Sequence, residues 1–335
     1  MIHLPGLRVT VYAIVFVVGS TGCATGSGPG VDPSAATRPA SAASGSPAAP
    51  PSLSASASPV TASRAASPIL PPLTQLPRGG RQIFPRFTVV AHYGTAGTGA
   101  LGVLGEGTPT QAAARLTRAA APFAAASGRP VLPTFELIAS VAQRAPGANG
   151  AYSTYLADAD VARYLAAARR ARALLVLDLQ PGRADFLEQA QHFEKFLRLP
   201  DVGLALDPEW KLSAGQLPSR QIGSTDAASI NRVSLWLAQL RLRQNLPQKL
   251  LVLHQFRAFM IRHREQVAAR SGLATVIHLD GFGTQQVKRG VYAALSLRGG
   301  PLHNGLKLFL DEDTPTFTPR EAMAFRPRPE LISYQ

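Results

Sequence analysis

The segments ALLVLDLQ (173–180) and VGLALDP (202–208) decide the fold. Each is almost continuously apolar and rich in Leu, which is typical of a parallel strand buried on both faces. Each turns acidic as it ends, at Asp178 and at Asp207. Helical spacing fills residues 184–199 between them. The pair therefore predicts a strand–helix–strand unit with carboxylates at the C-terminal ends of its strands.

Six more segments of this kind surround the pair and complete a set of eight. Helical patterns are predicted between them over 111–127, 159–172, 184–199, 227–246, 257–271, 284–297 and 318–324. Eight strands alternating with helices in about 250 residues predict an α/β fold, a (β/α)8 TIM-like barrel. An open doubly wound sheet is the alternative. The six further segments are FTVVAHY (87–93), VLPTFELIA (131–139), LLVLHQF (250–256), ATVIHLDG (274–281), GLKLFLDE (305–312) and ELISYQ (330–335).

The first 22 residues are predicted to be a signal peptide. An apolar run follows Arg8 and is shorter than the roughly 20 residues that span a bilayer. Ser20-Thr21-Gly22-Cys23 then resembles a bacterial lipobox, although Ser20 replaces the usual branched aliphatic residue. Cys23 is the only cysteine. We therefore expect lipidation at Cys23 and a location on the extracytoplasmic face of the cell membrane, or secretion if Cys23 carries no lipid.

Residues 23–80 are predicted to be a disordered, lipid-anchored linker. They consist mostly of Ala, Ser, Pro, Gly and Thr, with Asp32 as the single acid. Such a composition offers too little apolar surface to offset the entropy of folding. The barrel domain is accordingly expected to occupy residues 81–335.

The charge of the chain bears on its partners. Lys and Arg number 34 against 20 Asp and Glu, a net charge of +14. The basic residues are scattered and no recognition motif accompanies them, so we expect no nucleic-acid partner. Attraction to an acidic envelope polymer is compatible with this charge. We expect a monomer that contacts a polysaccharide or cell-wall glycan and, through its lipid, the membrane.

The active site is expected at the C-terminal ends of the strands, where such barrels place their chemistry. Side chains alternate along a strand, so Asp207 should share a face with Glu209, Asp178 with Gln180, and Asp311 with Asp313. The catalytic candidates are Asp207, Glu209 and Asp280. Each acid could instead cap the helix that follows it. The substrate-binding candidates are His92, Tyr93, Glu136, Asp178, Gln180, Trp210, His254, Gln255, Asp311, Asp313 and Tyr334.

The carboxylate-rich mouth suits glycoside cleavage, in which one carboxyl group protonates the leaving oxygen and another acts as nucleophile or base. The segments LDLQPGRADF, LALDPEW, QKLLVLHQF, HLDGFG and KLFLDEDTP look like a set found in secreted lipoproteins of bacteria with GC-rich genomes. More broadly, the domain resembles TIM-barrel glycoside hydrolases. That resemblance implies an acid at the end of the fourth strand, Asp207 or Glu209, and a partner at Asp280 or Asp311. The sequence of the fourth strand is not the paired-aspartate signature of chitinase-like enzymes, so that class is not assigned.

Two other functions stay open at this point. One is a barrel that binds a cell-wall glycan without cleaving it. The other is a metal-dependent hydrolase whose ligands would come from Glu136, Asp178, Asp207, His254 and Asp280, although we assign no metal site. Residues 97–102 fit G-x-G-x-x-G, but more loop follows them instead of a helix. We therefore expect no nucleotide cofactor.

Overall fold

A computed structural model describes residues 74–335. The predicted signal peptide, Cys23 and most of the predicted linker lie outside these residues. Eight parallel strands form one sheet, and the first strand pairs with both the second and the eighth, which closes the barrel. The predicted (β/α)8 fold is therefore confirmed. The strands are β1 (Thr88–Gly94), β2 (Val131–Ala142), β3 (Leu174–Leu179), β4 (Val202–Leu206), β5 (Lys249–Gln255), β6 (Leu273–Leu279), β7 (His303–Leu308) and β8 (Leu331–Tyr334).

Helices cover the outside of the barrel, and local capping explains where several begin. The Thr108 side chain accepts a hydrogen bond from the Gln111 backbone N–H, and the Gln111 side chain accepts one from the Thr108 backbone N–H, in a capping box. Thr318 and Glu321 form a second box, while Asp226 caps another helix. The helices are α1 (Pro109–Ser127), α2 (Asp158–Arg170), α3 (Phe186–His192), α4 (Glu194–Leu197), α5 (Ala227–Arg243), α6 (Gln285–Leu295) and α7 (Pro319–Ala322).

The helix predicted over 257–271 is wrong. Between β5 and β6 the chain instead makes two 3-10 turns, Ala258–Met260 and Arg264–Gln266, joined by the short strand Ile261–Arg262. That strand pairs with Thr225–Asp226. No side chain caps a helix start at Arg257. Tertiary pairing therefore overrides a helical spacing that lacks a start signal.

The base of the barrel is closed by the chain that precedes β1. Leu76, Ile83, Phe84 and Phe87 are buried with the lower interior side chains of the strands. Residue 76 belongs to the stretch that the sequence assigns to the linker. Arg81, which directly follows this stretch, donates hydrogen bonds to the Asn245 and Leu246 carbonyl oxygens and so fixes the chain at the base of the barrel. The barrel thus has an apolar floor, which leaves its opposite end for polar groups.

The other apolar core lies between the strands and the helices. A short strand, Ser153–Tyr155, adds to β2 in the antiparallel sense. Within residues 74–335 no helix has both the length and the apolar character needed to cross a bilayer.

Candidate active site

The upper interior of the barrel is polar, in contrast to its floor. Side chains alternate along each strand. Ala91 on β1 and Val176 on β3 face the barrel interior, so Tyr93 and Asp178, each two residues further along, also point inward. This arrangement collects acids, bases and hydroxyls in one layer at the C-terminal ends of the strands. We call this layer the mouth; it comprises Tyr93, Glu136, Asp178, Asp207, Glu209, His254, His278, Asp280, Lys307 and Ser333.

His254 connects two carboxylates in the mouth. It is fully buried, with Nε2 2.9 Å from Glu136 Oε1 and Nδ1 2.9 Å from Asp280 Oδ2. Burial alone would lower the His254 pKa, but the hydrogen bonds to Asp280 and Glu136 outweigh burial and raise that pKa well above its ordinary value. The ring is therefore an imidazolium that donates both N–H groups.

Asp280 is kept ionised by this contact. Burial acts to raise its pKa, whereas the hydrogen bond and the charge of His254 act in the opposite direction and prevail, so the Asp280 pKa lies below its ordinary value. One Asp280 oxygen, Oδ1, is buried without a hydrogen-bond partner. Asp280 is thus an ionised carboxylate with one oxygen bound by His254 and the other without a hydrogen bond.

Tyr93 links the predicted pair Asp178 and Gln180. Its hydroxyl donates to Asp178 Oδ2 at 2.9 Å and accepts from Gln180 Nε2 at 3.3 Å. The ammonium of Lys307 lies 3.5 Å from the centroid of the Tyr93 ring, a cation–π contact. Burial raises the Asp178 pKa to about 6, although the charge of His254 opposes the rise. Asp178 and Gln180 both contact the Tyr93 hydroxyl, so they lie on the same side of the strand, as their spacing predicts.

Asp207 and Glu209 are not two residues of one extended strand, so the premise of their shared face is wrong. Strand β4 ends at Leu206, and Pro208–Trp210 forms a 3-10 turn. Asp207 Oδ1 accepts a hydrogen bond from the Glu209 backbone N–H at 3.1 Å, so Asp207 acts as the cap of that turn. Pro208 fits the first position of such a turn because it needs no N–H there.

The turn nevertheless brings both carboxyl groups to the mouth. Burial raises the Asp207 pKa well above its ordinary value. The Glu209 pKa is raised to about 7, first by burial and then by the negative charge of Asp280. Asp207 is almost inaccessible, with 3% of its surface exposed, whereas Glu209 and Trp210 are partly exposed. Glu209 is therefore a protonated, reachable acid beside an ionised Asp280.

Three mouth residues are absent from the sequence-based candidates, namely His278, Lys307 and Ser333. His278 Nε2 lies 2.6 Å from Ser333 Oγ. A Cβ atom on Gly305 would lie 2.3 Å from His278 Nδ1, so glycine makes room for this ring. Lys307 could have been found from the sequence. It lies two residues after the inward-facing Gly305 on β7 and so shares its face, and a lysine inside an apolar strand is unusual.

The acids after β7 do not join the mouth. The spacing of Asp311 and Asp313 predicts a shared face, but β7 ends at Leu308, Asp311 is exposed and Asp313 is buried. Asp313 accepts hydrogen bonds from the Gly283 and Phe309 backbone N–H groups, and it pairs with Lys288 at 3.0 Å. Asp313 therefore fixes the loops above β6 and β7.

The remaining candidates lie outside the mouth. Gln255 is buried behind β5, where its Nε2 donates to the Arg257 and Ala258 carbonyl oxygens and its Oε1 accepts from Arg264. His92 and Tyr334 are register partners on β1 and β8. Their rings meet edge to face on the outer wall of the barrel, where Tyr334 belongs to the core shared with the helices.

Several buried acceptor atoms in the mouth have no hydrogen-bond partner, namely Glu136 Oε2, Asp178 Oδ1 and Asp280 Oδ1. Unsatisfied buried polar atoms are rare in folded proteins, so these three acceptors mark the mouth as a candidate functional site. Across residues 74–335, no group of three or more His, Cys, Asp or Glu side chains is arranged to hold a metal ion. Both ring nitrogens of His254 are engaged by carboxylates.

The glycine-rich segment 97–102 is loop, as its sequence context predicts. It contains the 3-10 turn Gly99–Leu101, and α1 begins only at Pro109. A Cβ atom on Gly102 would lie 2.4 Å from the Tyr93 carbonyl oxygen, so glycine lets this loop pack on the end of β1. Comparison of the chain with protein-family models and with curated proteins gave no match.

Proposed function

We propose that this protein is an extracytoplasmic lipoprotein that hydrolyses a glycosidic bond in a cell-envelope or extracellular polysaccharide. The observation that carries this proposal is the contrast between two neighbouring carboxyl groups. Glu209 is protonated up to about pH 7, whereas the contact with His254 keeps Asp280 ionised. A glycosidase needs this division between a proton donor and an anionic partner.

Glu209 would act as the general acid. It would give its proton to the glycosidic oxygen as the bond from that oxygen to the anomeric carbon breaks, and the carboxylate left behind would then accept a proton from water. Asp280 would either attack the anomeric carbon or deprotonate the attacking water; the two cases correspond to retention and inversion. Trp210, partly exposed beside Glu209, would offer an aromatic surface to a sugar ring.

The other mouth residues would position these two. His254 orients Asp280 and holds its charge, and Glu136 holds the opposite ring nitrogen of His254. Asp207 fixes the turn that carries Glu209. Asp207, which the sequence offers as a catalytic candidate, is therefore proposed here as a positioning residue, since its raised pKa keeps it neutral.

The test is turnover of a panel of envelope and extracellular polysaccharides, followed by release of reducing ends. Glu209→Gln and Asp280→Asn should each lower turnover at least about 10²-fold, the low end for general acid–base catalysis. Asp311→Asn is the matched control, because Asp311 is an exposed acid outside the mouth, and it should leave turnover unchanged. Wild-type turnover in both mouth variants would overturn the assignment. Binding of a glycan without cleavage would favour a glycan-binding barrel.

The location is a separate part of the proposal and rests on Cys23 and its flanking sequence. Metabolic labelling with a fatty-acid analogue should mark the wild-type protein and not Cys23→Ala. Equal labelling of both proteins, or of neither, would contradict lipidation.

A further inference from the structure

A groove on the outer wall of the barrel lies beside the mouth and takes no part in the proposed reaction. Its volume is about 480 Å³, within the range of small-molecule sites. Its walls come from the ends of β1 and β8, the middle of α1, the segment after β7 and the start of α7. The groove therefore lies next to the C-terminal ends of β1 and β8. The side chains that matter most are His92, Arg115, Arg118, Pro122, Leu310 and Tyr334.

The polar side of this groove carries unused hydrogen-bonding groups. Arg118 is exposed and makes no ion pair with the residues that the structure describes. Arg115 is already engaged: its Nη2 donates to the Val103 and Glu106 carbonyl oxygens, and its Nε, which makes no hydrogen bond, lies 3.8 Å from Glu106 Oε2 in an ion pair. His92 is only 4% exposed, and its Nδ1 also has no partner. Burial and the charge of Arg115 lower the His92 pKa to about 4, so this ring is neutral, and the exposed guanidinium of Arg118 is the group that favours an anionic ligand.

The remaining walls of the groove are apolar. Pro122, Leu310 and the ring of Tyr334 face the same space, and Leu310 is 47% exposed, which is unusual for a large aliphatic side chain. An inorganic anion would leave these walls unused. A pyranose ring that bears a carboxylate would place its C–H face on them and its charge against Arg118.

We propose that this groove binds a carboxylate-bearing sugar, so that the substrate is an acidic polysaccharide. The inference rests on the proposed function, because the bound sugar would belong to the chain that is cleaved in the mouth. His92 lines the groove and Tyr93, the next residue of β1, lines the mouth, so only the thickness of one strand separates the two. The net charge of +14 also favours attraction of a polyanion. His92 and Tyr334 thus keep the substrate-binding role that the sequence predicts, but in this groove.

Binding can be measured apart from cleavage by calorimetry on the full chain carrying Glu209→Gln. The probes are uronic-acid tetrasaccharides of gluco and galacto configuration and their carboxyl-reduced, neutral counterparts. At least one acidic probe should bind about tenfold or more tighter than its neutral counterpart, the gain expected from a hydrogen bond to a charged group. Adding Arg118→Gln should abolish this preference. Adding Arg298→Gln should not, because Arg298 is an exposed arginine in the segment between α6 and β7, at the opposite end of the barrel.

The inference is overturned if acidic and neutral probes bind equally, if none binds, or if the preference survives in the Arg118→Gln protein. Inorganic phosphate or sulfate that competes as well as the acidic sugar would reduce the groove to a simple anion site and would also overturn it. Failure of the proposed function has a different signature: the acidic probe binds with its Arg118-dependent preference, yet the wild type cleaves no glycan.

Discussion

Glu209→Gln should stabilise the folded protein while it abolishes turnover. Burial and the charge of Asp280 hold the Glu209 pKa at about 7 instead of 4.5. Ionising such a group in the folded state costs about 3 kcal/mol, since one pH unit corresponds to about 1.36 kcal/mol. Glu209 is partly exposed, and solvent screening reduces this figure to about 1–2 kcal/mol. A neutral glutamine avoids the cost entirely.

The sign of this effect depends on pH. Below pH 4.5 the carboxyl group is protonated in both the folded and the unfolded states, so wild type and variant should melt alike. As pH rises from 4.5 to about 7, the unfolded wild type loses its proton before the folded form does. Wild-type stability therefore falls relative to the variant over this window, and the difference becomes constant above it.

The assay is thermal unfolding of both proteins between pH 4 and pH 9. The variant should melt about 2–8 °C higher above pH 7, because about 1 kcal/mol shifts the melting temperature of a domain of this size by about 2–4 °C. Glu188→Gln, at an exposed position of α3, serves as the control and should show no such pH-dependent gain. A Glu209→Gln protein that melts at or below the wild type throughout would refute the reasoning, because Glu209 would then be a stabilising surface carboxylate.

Three further predictions follow from the architecture of the mouth and of the barrel. His254→Leu should destabilise the protein by about 3–5 kcal/mol at pH 7, because it leaves Glu136 and Asp280 buried without their cation. The stabilising effect of the charged bridge should be complete below the ordinary His pKa of 6.5 and should be lost as pH rises from there through the raised His254 pKa. An unchanged melting temperature would contradict the charged bridge. Deleting residues 330–335 should abolish cooperative unfolding, because β8 pairs with both β1 and β7 and its loss exposes two strand edges; retention of a wild-type melt would mean that the barrel does not need this strand. Elemental analysis of the purified full chain should find no stoichiometric transition metal, and turnover should survive a chelator, because carboxylates already engage both ring nitrogens of His254. One equivalent of zinc, manganese or iron, with turnover lost to the chelator, would favour a metal-dependent hydrolase.

The strands were predictable from the sequence because each is a short, nearly continuous apolar segment, a pattern typical of a buried parallel strand. Segments 173–180 and 202–208 contain β3 and β4, and their short length favours strands over helices. The helix predicted over 257–271 failed because pairing of Ile261–Arg262 with Thr225–Asp226 is a long-range contact. Spacing of apolar residues along the chain carries no information about such a contact.

Some of the residues that line the mouth were predictable from the sequence. Alternation along a strand correctly brings Asp178 and Gln180 together, and both contact the Tyr93 hydroxyl from β1. The same rule fails for Asp207 with Glu209 and for Asp311 with Asp313, because the strands end at Leu206 and Leu308 and the chain then turns. Where a strand ends depends on capping and loop packing, which the apolar pattern marks only within a few residues.

The charge states could not be read from the sequence at all. The ionised state of Asp280 depends on His254, which lies on the neighbouring strand and also contacts Glu136 from across the mouth. The Glu209 pKa is raised by burial and by the negative charge of Asp280, and both depend on how the 3-10 turn after β4 is packed in the folded barrel. These are properties of the closed barrel, in which eight strands bring distant residues into one polar layer.

The pH dependence of kcat/KM on a cleaved polysaccharide tests the central claim most directly, because it reports the protonation state of the acid and of its partner together. Activity should fall as pH rises through about 7, where Glu209 loses its proton. It should fall on the acidic side only below the ordinary Asp280 value of 3.8, since the contact with His254 lowers that pKa. In Glu209→Gln the limb near pH 7 should vanish together with most of the turnover. A wild type that cleaves no glycan, or a limb near pH 7 that persists unchanged in Glu209→Gln, would contradict the account.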